Sequence, residues 1–491
     1  MSNQPSDDKL NFETFHNVID GQLSSTTNTR YSTNPSNLEK NPPVPLTTRT
    51  ELDAAVQAAR RAAVSWAKVP WEDRKNAVQA YASALESNQD SFARMLTKEQ
   101  GKPFSRAQLE VKTGVQWLRD FCELSLPETV LEDNEKRRII TRYQPLGVVA
   151  AIVPWNYPVQ PLACGKIGPA LLTGNVLILK PSPFTPYCNL KLAELGLRFF
   201  PPGVLQALSG DDKLGPWMTE HPGIDKIAFT GSAATGKKVM ESCSRTLKSV
   251  TLELGGNDPA IVCSDVDLSA IPTILGIAFD NAGQICCTIK RLYVHEDVYD
   301  VVLATALAVL QHFKAGDGFQ DGVFIPPITN AQQFERVRDL LAEIKTSKLK
   351  LAAGSTEPMQ GAGESNGYFF APTIVDDPPE DSRIVSTEQF GPVLPFLKWK
   401  DESDVIERAN NTQYGLGASV WTQDMERAER ISTQIQAGTV WINSHAEIGA
   451  KIPFGGHKSS GLGVEWGVEG MKAYCKLQTL LTRSKPWNGQ T

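Results

Sequence analysis

Two adjacent thiols, Cys286 and Cys287, follow a Gly-Gln turn within the stretch 281–291 and precede the cations Lys290 and Arg291. A thiol attacks carbon as its thiolate, and nearby positive charge or helix-terminal N–H groups favour that form. The alternative role is structural, because cysteine is a small residue that is usually buried. The pair alone favours the structural role, so the motifs upstream must decide.

Two polar side chains at turns have the chemistry to assist a nucleophile. Glu253 stands in Leu-Glu-Leu-Gly-Gly at the end of an apolar strand, where a partly desolvated carboxylate can act as a general base. Asn156 stands in Pro-Trp-Asn, where a side-chain amide can stabilise an oxyanion. A surface glutamate and an asparagine bonded to its own backbone remain the alternatives.

Two further turns suggest a nucleotide ligand. Phe-Thr-Gly-Ser-Ala-Ala-Thr-Gly at 229–236 follows a strand and opens a helix, so its small residues let the backbone approach a diphosphate and Ser232 bond it. The spacing is not the Gly-x-Gly-x-x-Gly fingerprint, and an ordinary link is the alternative. Lys180 in Lys-Pro-Ser-Pro also ends a strand and can bind ribose or phosphate, unless it is an exposed loop lysine.

Short apolar strands alternate with helices from residue 148 onward, and this pattern predicts a doubly wound parallel sheet. The predicted strands are 148–153, 176–179, 204–208, 226–229 and 249–253, and the helices between them end at Leu172 or cover 186–199, 211–220 and 233–245. The alternation restarts after Pro259 with strand 260–263, helix 266–280, strand 291–294 and helix 297–313, which predicts a second α/β domain. Ligands of such sheets bind beyond the carboxyl ends of the strands.

The first third of the chain is mainly helical by pattern. Thr50 is predicted to cap a helix that runs through Trp66, and helices continue to about Phe121. The ribbon 122–147 is charged and then alternates like a strand. It fits either an arm that reaches another subunit or a solvated hairpin.

Composition narrows the class of protein. The 491 residues predict two or three domains, and 41% hydrophobic and 21% charged residues are typical of globular proteins. A net charge of -6 weighs against nucleic-acid binding, and no apolar run is long enough for a membrane span. The polar N-terminus resembles no targeting signal, so a cytoplasmic location is expected. The eight cysteines and six histidines form neither a disulfide framework nor a metal motif.

The motifs in their order along the chain resemble those of the NAD(P)-dependent aldehyde dehydrogenase superfamily, over about residues 17–482. That order is Pro-Trp-Asn, Lys-Pro-Ser, Phe-Thr-Gly-Ser, Leu-Glu-Leu-Gly-Gly, Gly-Gln-Ile-Cys, Glu-Gln-Phe-Gly-Pro and Pro-Phe-Gly-Gly. The resemblance implies an α/β fold with two doubly wound parallel-sheet domains plus an oligomerisation arm, in a homodimer or homotetramer. The implied ranges are 1–122 and 147–256 for the dinucleotide-binding domain, 257–460 for the catalytic domain, and 123–146 with 461–491 for the arm.

The same resemblance implies roles for individual residues. Cys286 is the nucleophile, Glu253 is the general base, and Asn156 shares the oxyanion with the backbone N–H of Cys286. The implied cofactor-binding residues are Pro154, Trp155, Lys180, Ser182, Gly231, Ser232, Gly236, Leu254, Glu388 and Phe390, and no metal is implied. Lys166 and Glu465 match polar residues near a proton path. Trp117, Tyr157, Gln160, Ile285, Cys287 and His445 are expected near the substrate, although helix-face aromatics are more often core and a surface loop is the alternative for His445.

The implied reaction is NAD(P)-dependent oxidation of an aldehyde to a carboxylic acid. It passes through a thiohemiacetal and a thioester on Cys286, which water activated by Glu253 hydrolyses. Pro183 stands where many NAD-using relatives carry a ribose-binding glutamate, so we expect both NAD and NADP to be usable.

Three other activities stay open from the sequence. Coenzyme A instead of water can release a thioester, but relatives of that type lack the glutamate that Glu253 represents. A non-catalytic binding protein has no chemical need for Cys286, Glu253, Asn156 and Lys180 together. A cysteine hydrolase needs a histidine partner, and no histidine stands near the cysteine in a suggestive motif.

Overall fold

The computed structural model describes residues 10–359 and 366–484. The strands are β1 (Asn17–Ile19), β2 (Gln22–Ser24), β3 (Thr29–Arg30), β4 (Val44–Pro45), β5 (Thr129–Asp133), β6 (Arg137–Pro145), β7 (Val148–Ile152), β8 (Val176–Lys180), β9 (Leu205–Ala207), β10 (Lys226–Thr230), β11 (Ser249–Glu253), β12 (Asp258–Val262), β13 (Ile289–His295), β14 (Lys314–Ala315), β15 (Val323–Ile325), β16 (Leu351–Ala353), β17 (Thr373–Asp376), β18 (Val393–Trp399), β19 (Gly417–Trp421), β20 (Thr439–Ile442), β21 (Gly461–Leu462) and β22 (Cys475–Arg483). The helices are α1 (Arg49–Trp66), α2 (Trp71–Ser87), α3 (Gln89–Gln100), α4 (Phe104–Phe121), α5 (Gly165–Leu172), α6 (Tyr187–Gly196), α7 (Leu214–Glu220), α8 (Ala233–Ser244), α9 (Ile271–Phe279), α10 (Tyr299–Leu310), α11 (Ala331–Thr346), α12 (Arg383–Ser386), α13 (Glu402–Asn410), α14 (Met425–Ser432) and α15 (Gly467–Lys472).

The first sheet has the order β2-β1-β9-β8-β7-β10-β11-β21. Its five central strands, from β9 to β11, are parallel, whereas β1 and β21 pair antiparallel at the two sides. Strands β7, β8 and β10 are buried along their whole length. Burial on both faces explains why these segments are continuous apolar runs rather than alternating ones. The predicted first sheet is confirmed.

The second sheet has the order β16-β17-β18-β13-β12-β19-β20, and all of its pairs except β16 with β17 are parallel. Each sheet has its own hydrophobic core. The first core also takes in Cys287, Leu416 and Phe454 from the chain that follows β12, so the seam between the two sheets is partly apolar. The predicted α/β class with two doubly wound parallel sheets is confirmed.

The predicted cap of α1 is wrong by two residues. Thr48, not Thr50, is the N-cap: its hydroxyl accepts from the backbone N–H of Glu51, and the Glu51 carboxylate accepts from the backbone N–H of Thr48 at 2.8 Å. Thr48 and Thr50 each have an acid three residues later, so the sequence pattern fits both, and only the turn that forms decides. The break at Asn88, between α2 and α3, was not predicted.

The charged ribbon forms an antiparallel hairpin of β5 and β6, and the C-terminal strand β22 pairs along the whole of β6. We call this three-stranded sheet the arm sheet. The segment 461–491 does not belong wholly to it, because β21 pairs with β11 at the edge of the first sheet. The ranges implied for the domains and the arm stay predictions. In the described parts of the chain, no helix is both long and apolar enough to cross a bilayer.

Candidate active site

A cavity of about 580 Å³ lies between the two sheets, within the size range of small-molecule sites. Most of the predicted site residues line it: Pro154, Trp155, Asn156, Gly231, Ser232, Glu253, Leu254, Cys286, Glu388 and Phe390. Lys180, Ser182 and Gly236 do not. The fold therefore brings together side chains that are more than 200 residues apart in the sequence.

The two sheets offer opposite strand ends to the cavity. In the first sheet, Asn156, Thr230 and Glu253 stand at or just beyond the carboxyl ends of β7, β10 and β11, as the strand rule predicts. In the second sheet, Cys286 and Glu388 precede β13 and β18, so they stand at the amino ends. The rule for carboxyl ends did not predict this half of the site.

A tight turn shapes the loop before Cys286. Asn281 and Ala282 have φ angles of 50° and 55°, and Gly283 follows at 70°. Left-handed backbone costs energy for alanine, so the surroundings must hold it. The Gln284 side chain does so, because its amide donates to the oxygens of Asn281 (2.9 Å) and Pro327 (3.2 Å) and its carbonyl accepts from the N–H of Thr329 (2.9 Å).

Asn156 ties the first sheet to this loop. Its Nδ2 donates to the backbone oxygen of Gln284 at 2.9 Å. Its own backbone oxygen accepts from Lys102 Nζ at 3.1 Å and from Asn281 Nδ2 at 3.3 Å. Lys102 is itself buried and paired with Glu110. An amide nitrogen carries two hydrogens, so Asn156 keeps one donor for a ligand while the other bond fixes its position.

The Cys286 thiol lines the cavity beside a buried neighbour. Its contact with the Cys287 thiol and its burial raise the pKa of Cys286 well above the ordinary value, and the positive charge of Lys290 opposes them. The raised pKa favours the thiol form of Cys286 over the thiolate. All eight cysteines are free thiols.

Glu253 is buried at the end of β11, and its Oε1 has no hydrogen-bond partner among the described residues. Burial and the negative charge of Glu465 raise the pKa of Glu253 well above its ordinary value, whereas Lys166 lowers it. Lys166 and Glu465 form a buried ion pair of 2.5 Å. A carboxyl group with a raised pKa can take up a proton near neutral pH, which is what a general base requires.

A further group of cavity-lining residues fits a dinucleotide. Ser232 caps α8 by accepting from the N–H of Thr235 at 3.3 Å, and the buried hydroxyl of Thr230 has no partner among the described residues. The Trp155 and Phe390 rings meet edge to face at 5.3 Å. A helix N-terminus, an unsatisfied hydroxyl and an aromatic pair suit a diphosphate and an aromatic ring.

Glu388 belongs to the same wall. Its Oε1 accepts from the backbone N–H of Gly256 at 3.1 Å. A Cβ at Gly255 would collide with the Glu388 carboxylate, so the glycine is needed for this close approach.

Lys180 lies at the carboxyl end of β8, beyond the cavity. It is buried and donates to the backbone oxygen of Pro181 at 3.2 Å. Burial lowers the pKa of Lys180 to about 8, and Asp212 is the first group that opposes this. Pro183 in place of an acid is visible in the sequence. The role of Asp212 is not, because no motif links positions 183 and 212. Gly236 instead faces the Leu254 side chain.

The residues expected near the substrate divide into two groups. Tyr157, Gln160, Ile285 and Cys287 line the cavity. Trp117 is buried against Trp466, 4.7 Å between ring centroids, and is core. The surface-loop alternative for His445 is wrong: His445 is buried, with Nε2 3.0 Å from the Cys287 oxygen. The sequence did not reveal the part of the apolar lining that carries no motif, namely Leu162, Ala446, Ile448 and Trp466, and it assigned no role to Phe454 of Pro-Phe-Gly-Gly.

Comparison with known proteins decides the family. The sequence model of the aldehyde dehydrogenase family matches residues 23–480. The chain belongs to the aldehyde dehydrogenase family. Aldehyde dehydrogenase LUC3 of a Fusarium species is 40% identical over 472 residues, which cover 96% of this chain and 99% of that protein. Succinate-semialdehyde dehydrogenase [NADP(+)] GabD of Escherichia coli is 36% identical. The alignment covers 91% of this chain and 92% of that protein.

A solved aldehyde dehydrogenase has the same fold. The NAD+ complex of the enzyme from Bacillus cereus superimposes with a TM-score of 0.93 at 33% identity, covering 96% of this chain and 97% of its own. The resemblance drawn from motif order is thereby confirmed. Among residues 10–359 and 366–484, no three His, Cys, Asp or Glu side chains are arranged to hold a metal ion.

Proposed function

We propose that this aldehyde dehydrogenase oxidises an aldehyde to a carboxylic acid with Cys286 as nucleophile, Glu253 as general base and Asn156 as an oxyanion donor. One observation carries the proposal. A thiol next to the second sheet and a buried carboxyl of the first sheet line one cavity, and Asn156 links the two sheets there. Oε1 of that carboxyl has no hydrogen-bond partner among the described residues. Such an arrangement is the requirement for covalent acyl chemistry followed by hydrolysis.

NAD or NADP is the proposed cofactor, since GabD is named for NADP(+) and the Bacillus cereus enzyme was solved with NAD+. Gly231 and Ser232 at the start of α8 would hold the diphosphate, while Gly236 would let α8 pack against Leu254 behind them. The remaining contacts would come from the residues implied above: Pro154, Trp155, Lys180, Ser182, Leu254, Glu388 and Phe390. When bound, the nicotinamide supplies the hydride acceptor, and the chain supplies position and field.

The first half of the reaction builds a covalent bond to the chain. The Cys286 thiol passes its proton to solvent water, and the thiolate sulfur adds to the aldehyde carbon, giving a thiohemiacetal oxyanion. Asn156 Nδ2 and the backbone N–H of Cys286 stabilise that oxygen. Loss of hydride from the former aldehyde carbon leaves a thioester on Cys286.

The second half releases the acid. Glu253 takes a proton from a water molecule, and the hydroxide attacks the thioester carbon. The C–S bond breaks, the carboxylic acid leaves, and the Cys286 thiolate is restored. Lys166 and Glu465 set the charge around Glu253 while the proton leaves. Retention of Glu253 supports hydrolysis over transfer of the acyl group to coenzyme A.

The experiment is a matched pair of cysteine variants assayed on a panel of aliphatic, aromatic and hydroxylated aldehydes with NAD and with NADP. Cys286→Ala should abolish dehydrogenase turnover, whereas Cys287→Ala should retain it. Near-normal activity of Cys286→Ala contradicts the proposal. Activity with NAD alone, even at high NADP, contradicts the expectation that both cofactors are usable.

The arm sheet supports a homodimer or homotetramer as a second proposal. It exposes apolar side chains on two of its strands, including Leu131 and Leu477, both 61% exposed. Exposed leucines on a paired strand favour a protein contact. Light scattering should give a dimer or tetramer, and a monomer at micromolar concentration contradicts this. We also propose the domain ranges stated above and a cytoplasmic location.

A further inference from the structure

Lys290 folds back onto the loop that carries the proposed nucleophile. Its side chain is 2% exposed, and its Nζ donates to the backbone oxygens of Ile285 (2.6 Å) and Cys286 (2.7 Å). Glu388 Oε1 lies 3.8 Å from the same nitrogen. A buried ammonium group thus contacts both the loop and the opposite wall of the cavity.

The two carbonyl bonds fix the direction of the neighbouring N–H groups. In a trans peptide unit, C=O and the next N–H point to opposite sides of the plane. Lys290 draws the Ile285 oxygen to its own side, so the N–H of Cys286 points away from Lys290. This N–H is the proposed second oxyanion donor, and the bond from Lys290 sets its orientation.

We propose that Lys290 is a positioning residue: it orients the Cys286 N–H through the Ile285 carbonyl and supplies the positive charge that favours the Cys286 thiolate. The inference rests on the proposed role of Cys286. Lys290 bonds to backbone oxygens of the loop, so it acts on the Cys286 sulfur through the backbone and through its charge.

The charged neighbours agree with this role. Cys287 and Glu388 raise the pKa of Cys286, while the positive charge of Lys290 lowers it. Glu253 faces the thiol from β11. Around Lys290 itself lie Asp258 from β12, Glu388 before β18, and His445 from the segment after β20.

His445 adds no competing cation. Burial lowers the pKa of His445 to about 3, so its imidazole is neutral at working pH. Its Nε2 lies 3.0 Å from the Cys287 oxygen, the next carbonyl of the loop. Lys290 therefore carries the positive charge on this side of the thiol.

The chain offers a matched control. Lys458 also donates to two backbone oxygens, those of Asn410 (2.7 Å) and Thr412 (3.3 Å), and it lies outside the loop 281–291. Lys458→Met removes the same kind of contact without touching the nucleophile loop. Lys290→Met removes the contact and the charge, and Lys290→Gln keeps a donor while removing the charge.

The test is the rate of Cys286 alkylation by iodoacetamide against pH, followed at the Cys286 peptide by mass spectrometry. Both Lys290 variants should shift the midpoint upward by about one pH unit and slow alkylation at neutral pH about tenfold, whereas Lys458→Met matches the unaltered protein. Lys290→Met should in addition lower kcat more than Lys290→Gln, because it also frees the carbonyls.

Two outcomes overturn the proposal. One is an alkylation profile of Lys290→Gln that coincides with that of the unaltered protein. The other is an equal shift in Lys458→Met. Thermal melting identifies a misfolded Lys290→Met, in which case Lys290→Gln carries the test. Alkylation needs no turnover, so its result is independent of the Cys286→Ala assay that tests the proposed function.

Discussion

The loop that carries Cys286 and the strand end that carries Glu253 face the same cavity but are held in opposite ways. Four consecutive carbonyls of the loop, from Gln284 to Cys287, accept hydrogen bonds from the buried side chains of Asn156, Lys290 and His445. The Glu253 backbone is fixed in β11, but its Oε1 has no partner among the described residues. Side-chain hydrogen bonds hold the Cys286 loop, whereas the Glu253 carboxyl keeps one oxygen without such a bond in the described part of the chain.

The difference matches the roles proposed for the two groups. A nucleophile must reach its target carbon in a narrow range of geometry, which hydrogen bonds to its backbone can impose. A base must change its protonation state near neutral pH, which burial and neighbouring charges achieve by raising its pKa. Lys166 and Glu465 act on Glu253 through charge, as Lys290 acts on Cys286.

The largest separation between the two regions is expected from Glu253→Gln. Without the base, steady turnover should fall about 10²–10⁴-fold, while one equivalent of reduced cofactor still forms rapidly per active site. Stopped-flow absorbance measures both phases. Loss of the rapid phase together with turnover contradicts the division of roles, and so does unchanged turnover.

Asn156→Ala tests the loop side next. It removes the proposed oxyanion donor and the bond to the Gln284 oxygen, so the rapid phase itself should slow about 10²–10³-fold. Single-turnover kinetics at saturating aldehyde give this rate. A slow steady state with a normal rapid phase would place Asn156 on the hydrolytic side instead.

The Lys166–Glu465 pair should move the pH profile of hydrolysis in opposite directions. Lys166 lowers and Glu465 raises the pKa of Glu253, and hydrolysis needs the ionised form. Lys166→Met should therefore shift the profile to higher pH, and Glu465→Gln should shift it to lower pH. On the rising limb, a shift of one pH unit changes the rate about tenfold. Thermal melts accompany the assay, since breaking a buried pair destabilises the fold. Shifts in the same direction would contradict the assignment.

The smallest effect is expected from Cys287→Ala. Contact with the Cys287 thiol is the first cause of the raised pKa of Cys286, so the variant should lower that pKa. Alkylation of Cys286 at neutral pH should then rise several-fold. Unchanged alkylation would show that burial alone sets this pKa.

Much of the fold could be predicted because each central strand is a short apolar run between turns. Strand 249–253 was predicted at its observed bounds, since apolar residues lead directly to Glu253 and two glycines. The N-cap Thr48 was not predicted because Thr48 and Thr50 fit the capping pattern equally. Only the folded backbone shows which hydroxyl accepts from the N–H groups of the first turn. The pairing of β21 with β11 joins residues some 200 apart, and periodicity contains no information on such contacts.

The site was predictable where motifs carry it and not where packing carries it. Cys286, Glu253 and Asn156 stand in recognisable turns and meet in one cavity. Lys290 was visible as a cation after the thiols, but its bonds depend on a loop that turns back through Asn281 and Ala282. The sequence favours a surface position for His445, and only the tertiary fold shows that this loop residue is buried beside the Cys287 carbonyl.

The most direct test of the central claim is to trap the acyl group on the chain. Glu253→Gln is mixed with an aldehyde and NAD, quenched in acid within the rapid phase, and digested for peptide mass mapping. We predict the added acyl mass on Cys286 and none on Cys287. An acyl group on Cys287, or product formation without any acylated cysteine, would contradict the account.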